Sequence, residues 1–383
     1  MVSSVLLLSL ARADDRQERI NALRHKSTIQ PTVQEDEWEE EELEDDEDDD
    51  FPHQLLIFAV GGLASGSFSP GWMPFVFGSS QSMTNHARSA GKTGYESLGW
   101  LSYMYAATPE EYGCSEDDVC EVPSEFANHR SLLDVLQYEY GYAVSIFSEN
   151  EKVMDEALRH HYPIRGFSPA TLDMMMHGQM ETELPQTPRR VLLFHFDGLD
   201  QVGHSMGYER ENYHAQLLCI DWQIQMIAEA LVQYDPEHTT FTLISDHGGK
   251  NYEHHSFELD VLQVPISWWG YGVCRHRRLD SIGVDTVQWA PTLFDVVGLD
   301  IPEEWNHPSL DEHVACDDDD DTPPQMPSFW NQTYEGVCPV PIGFRYRSAH
   351  YADEIRLIST CLIFTFTGVL GYWLFQHPGI TSK

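Results

Sequence analysis

The chain has 383 residues, 42% of them hydrophobic, enough for one large α/β domain, or two smaller ones, with a substantial core. Its formal net charge of −40 is concentrated: residues 35–50 hold fourteen acids and Asp317–Asp321 five more, yet the remainder still carries 43 acids against 22 bases. That balance argues against nucleic acid as a partner, because phosphate-backbone binding needs clustered Lys and Arg.

Residues 2–10 form a short apolar run followed by Ala11-Arg12-Ala13, an A-x-A cleavage pattern, so residues 1–13 read as a signal peptide. Residues 14–51 are polar and then almost wholly acidic, and cannot bury enough surface to fold. At 55–60 the run L-L-I-F-A-V ends in Gly61-Gly62, the pattern of a buried strand entering a turn. Further along, the spacing predicts a helix over 131–138, a strand over 143–147, a helix over 151–160, a buried strand over 191–196, a long helix over 211–232, strands over 241–245 and 264–269, and a helix over 286–297. Strands alternating with helices predict a mostly parallel sheet covered on both faces, a three-layer α/β/α sandwich spanning residues 52–312.

Residues 313–356 are acidic and irregular and read as a stalk. Leu357–Phe375 is 19 residues without a charge, long enough for a transmembrane helix, with Tyr372 and Trp373 as interfacial anchors and a short tail over 376–383. The expectation is a secretory-pathway protein with a lumenal or extracellular domain and a single membrane pass. Asn331-Gln332-Thr333 is a glycosylation acceptor in that topology. Seven cysteines fit an oxidising compartment. Cys114 with Cys120 and Cys316 with Cys338 are possible disulfides; Cys219, on a helical pattern, reads as a buried thiol, and Cys274 has no evident mate.

Five residues read as a divalent-metal site: Asp200 and His204 in G-L-D-Q-V-G-H, Asp246 and His247 in S-D-H-G-G, and His254 in Y-E-H. Carboxylates and imidazoles are ligands zinc accepts in catalytic sites, and strand ends are where an α/β protein places its chemistry. Asp200 and His204 are four apart, so a helical turn or a tight loop can present both to one ion. Other residues invite blander readings: Asp197 as a hydrogen-bonded turn residue, Lys250 as a solvated loop residue, Trp268, Trp269 and Trp289 as core, and Tyr112, Tyr138 and Tyr140 as packing.

These segments resemble the alkaline-phosphatase-like metalloenzymes, in the branch of type I phosphodiesterases and nucleotide pyrophosphatases. F-H-F-D-G-L-D-Q-V-G-H-S-M-G (194–207) resembles that family's D-x-x-G-H element. I-S-D-H-G-G-K-N-Y-E-H-H (244–255) with V-P-I-S-W-W-G-Y-G-V (264–273) resembles its S-D-H-G-G…H-G…I-P run, and W-A-P-T-L-F-D (289–295) its closing helix. T-P-E-E-Y-G (108–113) resembles its P-E-x-H-G turn. The resemblance implies one zinc ion on Asp200, His204 and His254. It implies a second on Asp246 and His247, together with an Asp from the first strand and a Thr or Ser nucleophile. The implied activity is metal-dependent hydrolysis of a phosphoric ester, on a phosphorylated small molecule or a lipid or glycan head group.

Two positions depart from that pattern. The first strand ends in Gly61-Gly62 where Asp-Gly is expected, and no carboxylate lies between Phe51 and Thr93. An ungapped count from Pro109 places the nucleophile position on Glu96. Ser97 follows it directly and Thr93 lies three residues before, so Ser97 is the candidate nucleophile with Glu96 and Thr93 as rivals. Alternatively Glu96 is itself a ligand. His255 stands where a glycine is usual. The absence of a cysteine in this segment argues against sulfate esters. A degenerate member that binds metal and a phosphorylated ligand or protein partner is the alternative function.

Overall fold

A computed structural model describes residues 54–90, 96–114, 129–168, 171–172, 189–232, 235, 237–273 and 277–316. The expected signal peptide, acidic segment, glycosylation tripeptide and membrane span lie outside these residues, as does Thr93. Among the described residues no helix is long and apolar enough to cross a membrane.

Among the described residues, eight strands form one sheet: β1 (Gln54–Val60), β2 (Ser82–Arg88), β3 (Ala143–Ser148), β4 (Ile164–Gly166), β5 (Arg190–Phe196), β6 (Thr239–Ile244), β7 (Gln263–Gly270) and β8 (Arg277–Arg278). Their order is β4-β3-β5-β1-β6-β7-β2-β8. The half around β1 is parallel, with β1 between β5 and β6. β7 runs antiparallel to both β6 and β2.

The described helices are α1 (Pro74–Ser79), α2 (Glu96–Tyr105), α3 (Leu132–Tyr138), α4 (Glu151–Ala157), α5 (Gly198–Met206), α6 (Glu211–Val232), α7 (Leu259–Leu262), α8 (Trp289–Val296) and α9 (Asp311–Val314).

The layers follow from the alternation of β1. Leu55, Ile57 and Ala59 join Trp100, Tyr103, Leu133 and Leu293 of α2, α3 and α8 in one core. Leu56, Phe58 and Val60 face the other way, against Leu199, Leu217, Ile220 and Ile224 of α5 and α6. A strand apolar on both faces can only be central to a covered sheet, so the three-layer α/β/α expectation holds. Ser131 caps α3 through a capping box with Asp134. α6 ties the β1 side together: Asp221 accepts hydrogen bonds from the Phe75 and Val76 amides at the start of α1. The Tyr213 hydroxyl donates to the Gly62 carbonyl and accepts from the Ala64 amide.

Several expectations are adjusted. β2 carries no apolar run and escapes the strand pattern; it pairs with β7 through a register shift between Thr84 and Ala87. Packing extends past residue 312, since Val314 is buried and Ala315 bridges Val273. Tyr138 does not pack: it is 77% exposed at the end of α3, whose inner face is filled by Leu132, Leu133, Val135 and Leu136. Cys219 is disulfide-bonded, as is Cys114. Helical spacing correctly reports that Cys219 is buried but carries no information about a partner across space. Trp268, Trp269 and Trp289 are core, with the Trp289 indole donating to Thr242 Oγ1 at 2.9 Å.

Candidate metal centre

The carboxyl ends of β5, β1 and β6 deliver the predicted ligands to one place. Directly after β5, α5 begins, and its helical turn places Asp200 and His204 on one face, with His204 Nε2 3.4 Å from Asp200 Oδ2. The other ring nitrogen of His204 bonds the Tyr252 carbonyl at 3.0 Å, which orients Nε2 inward. After β6, the Asp246 Oδ1 atom accepts the Gly62 amide at 3.1 Å and the His247 amide at 2.9 Å. His247 Nδ1 bonds the Gly248 carbonyl at 2.7 Å, leaving Nε2 3.5 Å from Asp246 Oδ2 and 3.9 Å from Asp200 Oδ1. The His254 ring stacks on His247 with centroids 3.9 Å apart and meets the His204 ring edge-on at 4.7 Å.

Glycines make this convergence possible. A Cβ on Gly203 or Gly249 would fall within 2.4 Å of the Tyr208 ring, and the Tyr208 hydroxyl donates to Asp200 Oδ1. A Cβ on Gly99 would lie 2.7 Å from Asp246 Cβ, so α2 reaches the strand ends only because that position is bare. Gly62 turns with φ +71° directly against Asp200.

Glu96, the first residue of α2, enters the same cluster. Ligand atoms of Glu96, Asp200, His204 and His254 all lie within 4.8 Å of one another. Glu96, one of the candidates for the nucleophile position, is thus part of this cluster. Ser97 is half-buried on the next helical position, and successive helical residues point about 100° apart.

The charges respond to the crowding. Burial pushes the Glu96 carboxyl up to about 8, with Asp200, Asp246 and Asp197 adding to it. Burial and then Asp200 raise Asp246. Burial acts to raise Asp200 too, but His247 and His254 outweigh it and hold that carboxyl below its ordinary value. Burial, then His247, lowers His254 to about 3. Neutral imidazoles and ionised carboxylates are the forms that bind a cation. Asp246 Oδ2 and His247 Nε2 are buried without hydrogen-bond partners. A donor set of this kind, with orphaned ligand atoms, fits a divalent cation.

The residue missed in the sequence is His195. It sits inside the apolar strand β5, fully buried, with Nδ1 2.8 Å from Ser148 Oγ and Nε2 unpartnered. A histidine in a V-L-L-F-H-F run was a detectable signal, since a core strand has no apolar reason to carry one. Asp197 is, as expected, a hydrogen-bonded turn residue, receiving Asn150 Nδ2 at 3.3 Å and the Gln201 amide group. Lys250 pairs with Glu258 and Asp260 at the surface.

The profile of the type I phosphodiesterase / nucleotide pyrophosphatase family matches residues 85–266. GPI ethanolamine phosphate transferase 1 of Schizosaccharomyces pombe (strain 972 / ATCC 24843) is 23% identical over 199 residues; the match spans 50% of this chain but 20% of that protein. In fold, the chain is similar to a 2-O GAG sulfatase (TM-score 0.51) and to a putative sulfatase from Bacteroides thetaiotaomicron VPI-5482 (TM-score 0.52). Each is 14% identical, covering 68% of this chain and 73% of the other. The chain thus has an alkaline-phosphatase-like fold, and over residues 85–266 it is similar to the type I phosphodiesterase / nucleotide pyrophosphatase family.

Proposed function

We propose that the domain is a metal-dependent phosphoric ester hydrolase in which Asp200, His204 and His254 hold one zinc ion, with Glu96 beside it. The convergence of Glu96, Asp200, His204 and His254 within 4.8 Å carries this reading. A bound zinc ion supplies Lewis-acid stabilisation of charge on the phosphoryl oxygens. Glu96 stands where the nucleophile is expected and is the group placed to take a proton from an attacking water. As the new P–O bond forms and the ester P–O bond breaks, that proton passes to the carboxylate and on to the leaving oxygen. Asp246 and His247 lie beside this cluster, with His247 Nε2 3.9 Å from Asp200 Oδ1. Ser97, one position along α2, is the rival nucleophile for a covalent route.

The substrate class we infer is a phosphorylated small molecule or a lipid or glycan head group. The likeness to a GPI ethanolamine phosphate transferase favours the head group. The likeness to sulfatases concerns the fold alone. Secretory targeting and anchoring through Leu357–Phe375 belong to the same proposal and rest on the apolar runs at 2–10 and 357–375.

A second reading is favoured by the same Glu96. Catalytic zinc sites keep one position open, whereas four protein ligands close a site. In that reading the domain binds a cation and a phosphorylated ligand without turnover.

Cation analysis with an aryl phosphodiester assay separates the two. Turnover that is lost in His204→Ala together with the ion, and lost in Glu96→Gln with the ion retained, establishes the hydrolase. Turnover lost in Ser97→Ala but kept in Glu96→Gln moves the chemistry to Ser97. A wild-type chain that binds the cation and is stabilised by a phosphodiester, yet turns nothing over, establishes the binding reading.

A further inference from the structure

Few large apolar side chains are exposed among the described residues: Trp72, Tyr138, Met206, Tyr252, Phe257 and Leu259. Four of these six sit on the two segments that carry His204 and His254. Met206 follows His204 by two residues at the end of α5, and Tyr252 precedes His254 by two. Phe257 and Leu259 come next along the chain, at the approach to α7 and at its first position. Of the other two, Tyr138 ends α3 in the opposite layer, and the Trp72 ring is stacked on His214 with centroids 4.3 Å apart.

Backbone contacts make the two segments one surface. The Tyr208 amide donates to the Asn251 carbonyl at 2.8 Å, and His204 Nδ1 bonds the Tyr252 carbonyl at 3.0 Å, so the end of α5 lies against the turn at 250–253. That turn closes through reciprocal amide–carbonyl bonds of Lys250 and Glu253, at 2.9 and 3.1 Å. Lys250 Nζ pairs with Glu258 and, at 3.5 Å, with Asp260, while the Gly248 amide donates to the Val261 carbonyl at 2.8 Å. These ties draw residues 257–260 to the same place. Val261 is buried there, whereas Phe257 stays 71% exposed and Leu259 67%. The His204 side chain, 41% exposed, opens on this surface.

Apolar side chains grouped in water add nothing to the fold and mark contact with another surface. Charge narrows what that surface is. The segments carry Glu209, Glu211, Glu253, Glu258 and Asp260 against Arg210 and Lys250, and Lys250 is already paired. An anionic surface would be repelled, and the clustered cations that bind one are missing from these two segments. Phe, Leu and Tyr without such cations suit the interfacial zone of a neutral bilayer. The apolar run Leu357–Phe375, read above as a membrane anchor, would hold the domain at that surface.

We propose that Met206, Tyr252, Phe257 and Leu259 seat the domain on a zwitterionic lipid bilayer, so that the cation site opens at head-group depth. This rests on the reading of a membrane-anchored domain acting on phosphorylated head groups, and names the face it turns to the lipid. A phosphodiester in a lipid head group then reaches His204 and its neighbours without leaving the bilayer.

The test is photocrosslinking of the full-length chain in phosphatidylcholine nanodiscs, with Phe257, Leu259 or Tyr138 replaced by p-benzoylphenylalanine. Mass spectrometry should find lipid adducts from positions 257 and 259, none from 138, and fewer at 257 and 259 when phosphatidylserine is mixed in. No adducts at 257 and 259, equal adducts at all three positions, more adducts with phosphatidylserine, or crosslinks to a second copy in place of lipid each overturn the proposal. A kinetic arm uses Phe257→Ser/Leu259→Ser, which alters only exposed side chains. It should raise KM for a phosphodiester carried on a lipid in the disc by about tenfold, with kcat, melting temperature and KM for a soluble aryl phosphodiester unchanged. An equal rise for both substrates assigns these side chains to the site itself and overturns the docking face. A wild type without turnover on either substrate sinks the hydrolase reading, and the adducts at 257 and 259 then decide the docking face by themselves.

Discussion

On the α5 side of the centre, His204 leaves 41% of its side chain exposed and Tyr252 beside it is 50% exposed. On the β1 side, His195, Asp246 and His247 are sealed to 1% or less. Both sides use imidazoles and carboxylates, but water sets different terms for each. On the open side an unpaired group is hydrated and can exchange ligands, so substitutions should act on affinity and turnover. On the sealed side every polar atom needs an internal partner or carries a desolvation penalty, so substitutions should act on stability and on the cation.

Four experiments bear on that contrast. Glu96→Gln, on the open side, should lower aryl phosphodiester turnover by about 10²–10⁴-fold with little change in melting temperature. An equal loss of stability would erase the distinction. Gly99→Ala, on the sealed side, drives a methyl into Asp246 backbone and Cβ, and should destabilise the fold by about 1–3 kcal/mol in urea titration. A neutral result would show that α2 is free to retreat.

Glu149, half-buried at the start of α5, adds a test by pH. Its carboxylate receives the Asp197 and Gly198 amides at the start of α5, yet burial raises it from 4.5 to about 7. A folded-state value above the unfolded one means the folded chain binds the proton more tightly. That stability is fully present below about pH 4.5 and is lost as pH rises through about 7. The wild type should lose roughly 2 kcal/mol over this window relative to Glu149→Gln, the figure being discounted for residual hydration. Tyr208→Phe bridges the two sides by removing the hydroxyl that steers Asp200. It should weaken the first cation about tenfold in dialysis; no change would mean that α5 alone positions that carboxylate.

The sequence made Asp200, His204, Asp246 and His247 readable and left His195 unread, for a physical reason. Asp200 and His204 belong to one helical turn, and Asp246-His247 to one strand exit, so short-range spacing suffices to bring them together. His195 acquires meaning only through register across β5, β1 and β6, which no local pattern encodes; in isolation it is a polar interruption in an apolar strand. Glu96 shows the same limit from the other direction. A resemblance could place it at the nucleophile position, but choosing between Glu96 and Ser97 requires the phase of α2. For the fold, apolar runs on both faces gave β1, β5 and β6. The polar edge strand β2 owes its existence to pairing with β7 and had no such signal.

The ties from α6 carry one more implication. Tyr213 holds the Gly62–Ala64 turn and Asp221 holds the first amides of α1, two segments separated in sequence but fastened to one 22-residue helix. Neither can swing outward unless α6 lets go. In native-state hydrogen exchange, the amides of Ala64, Phe75 and Val76 should therefore open with a common free energy as one cooperative unit. The residues around the bare Gly61 position would thus belong to the slowly exchanging body of the protein, even though they form a loop.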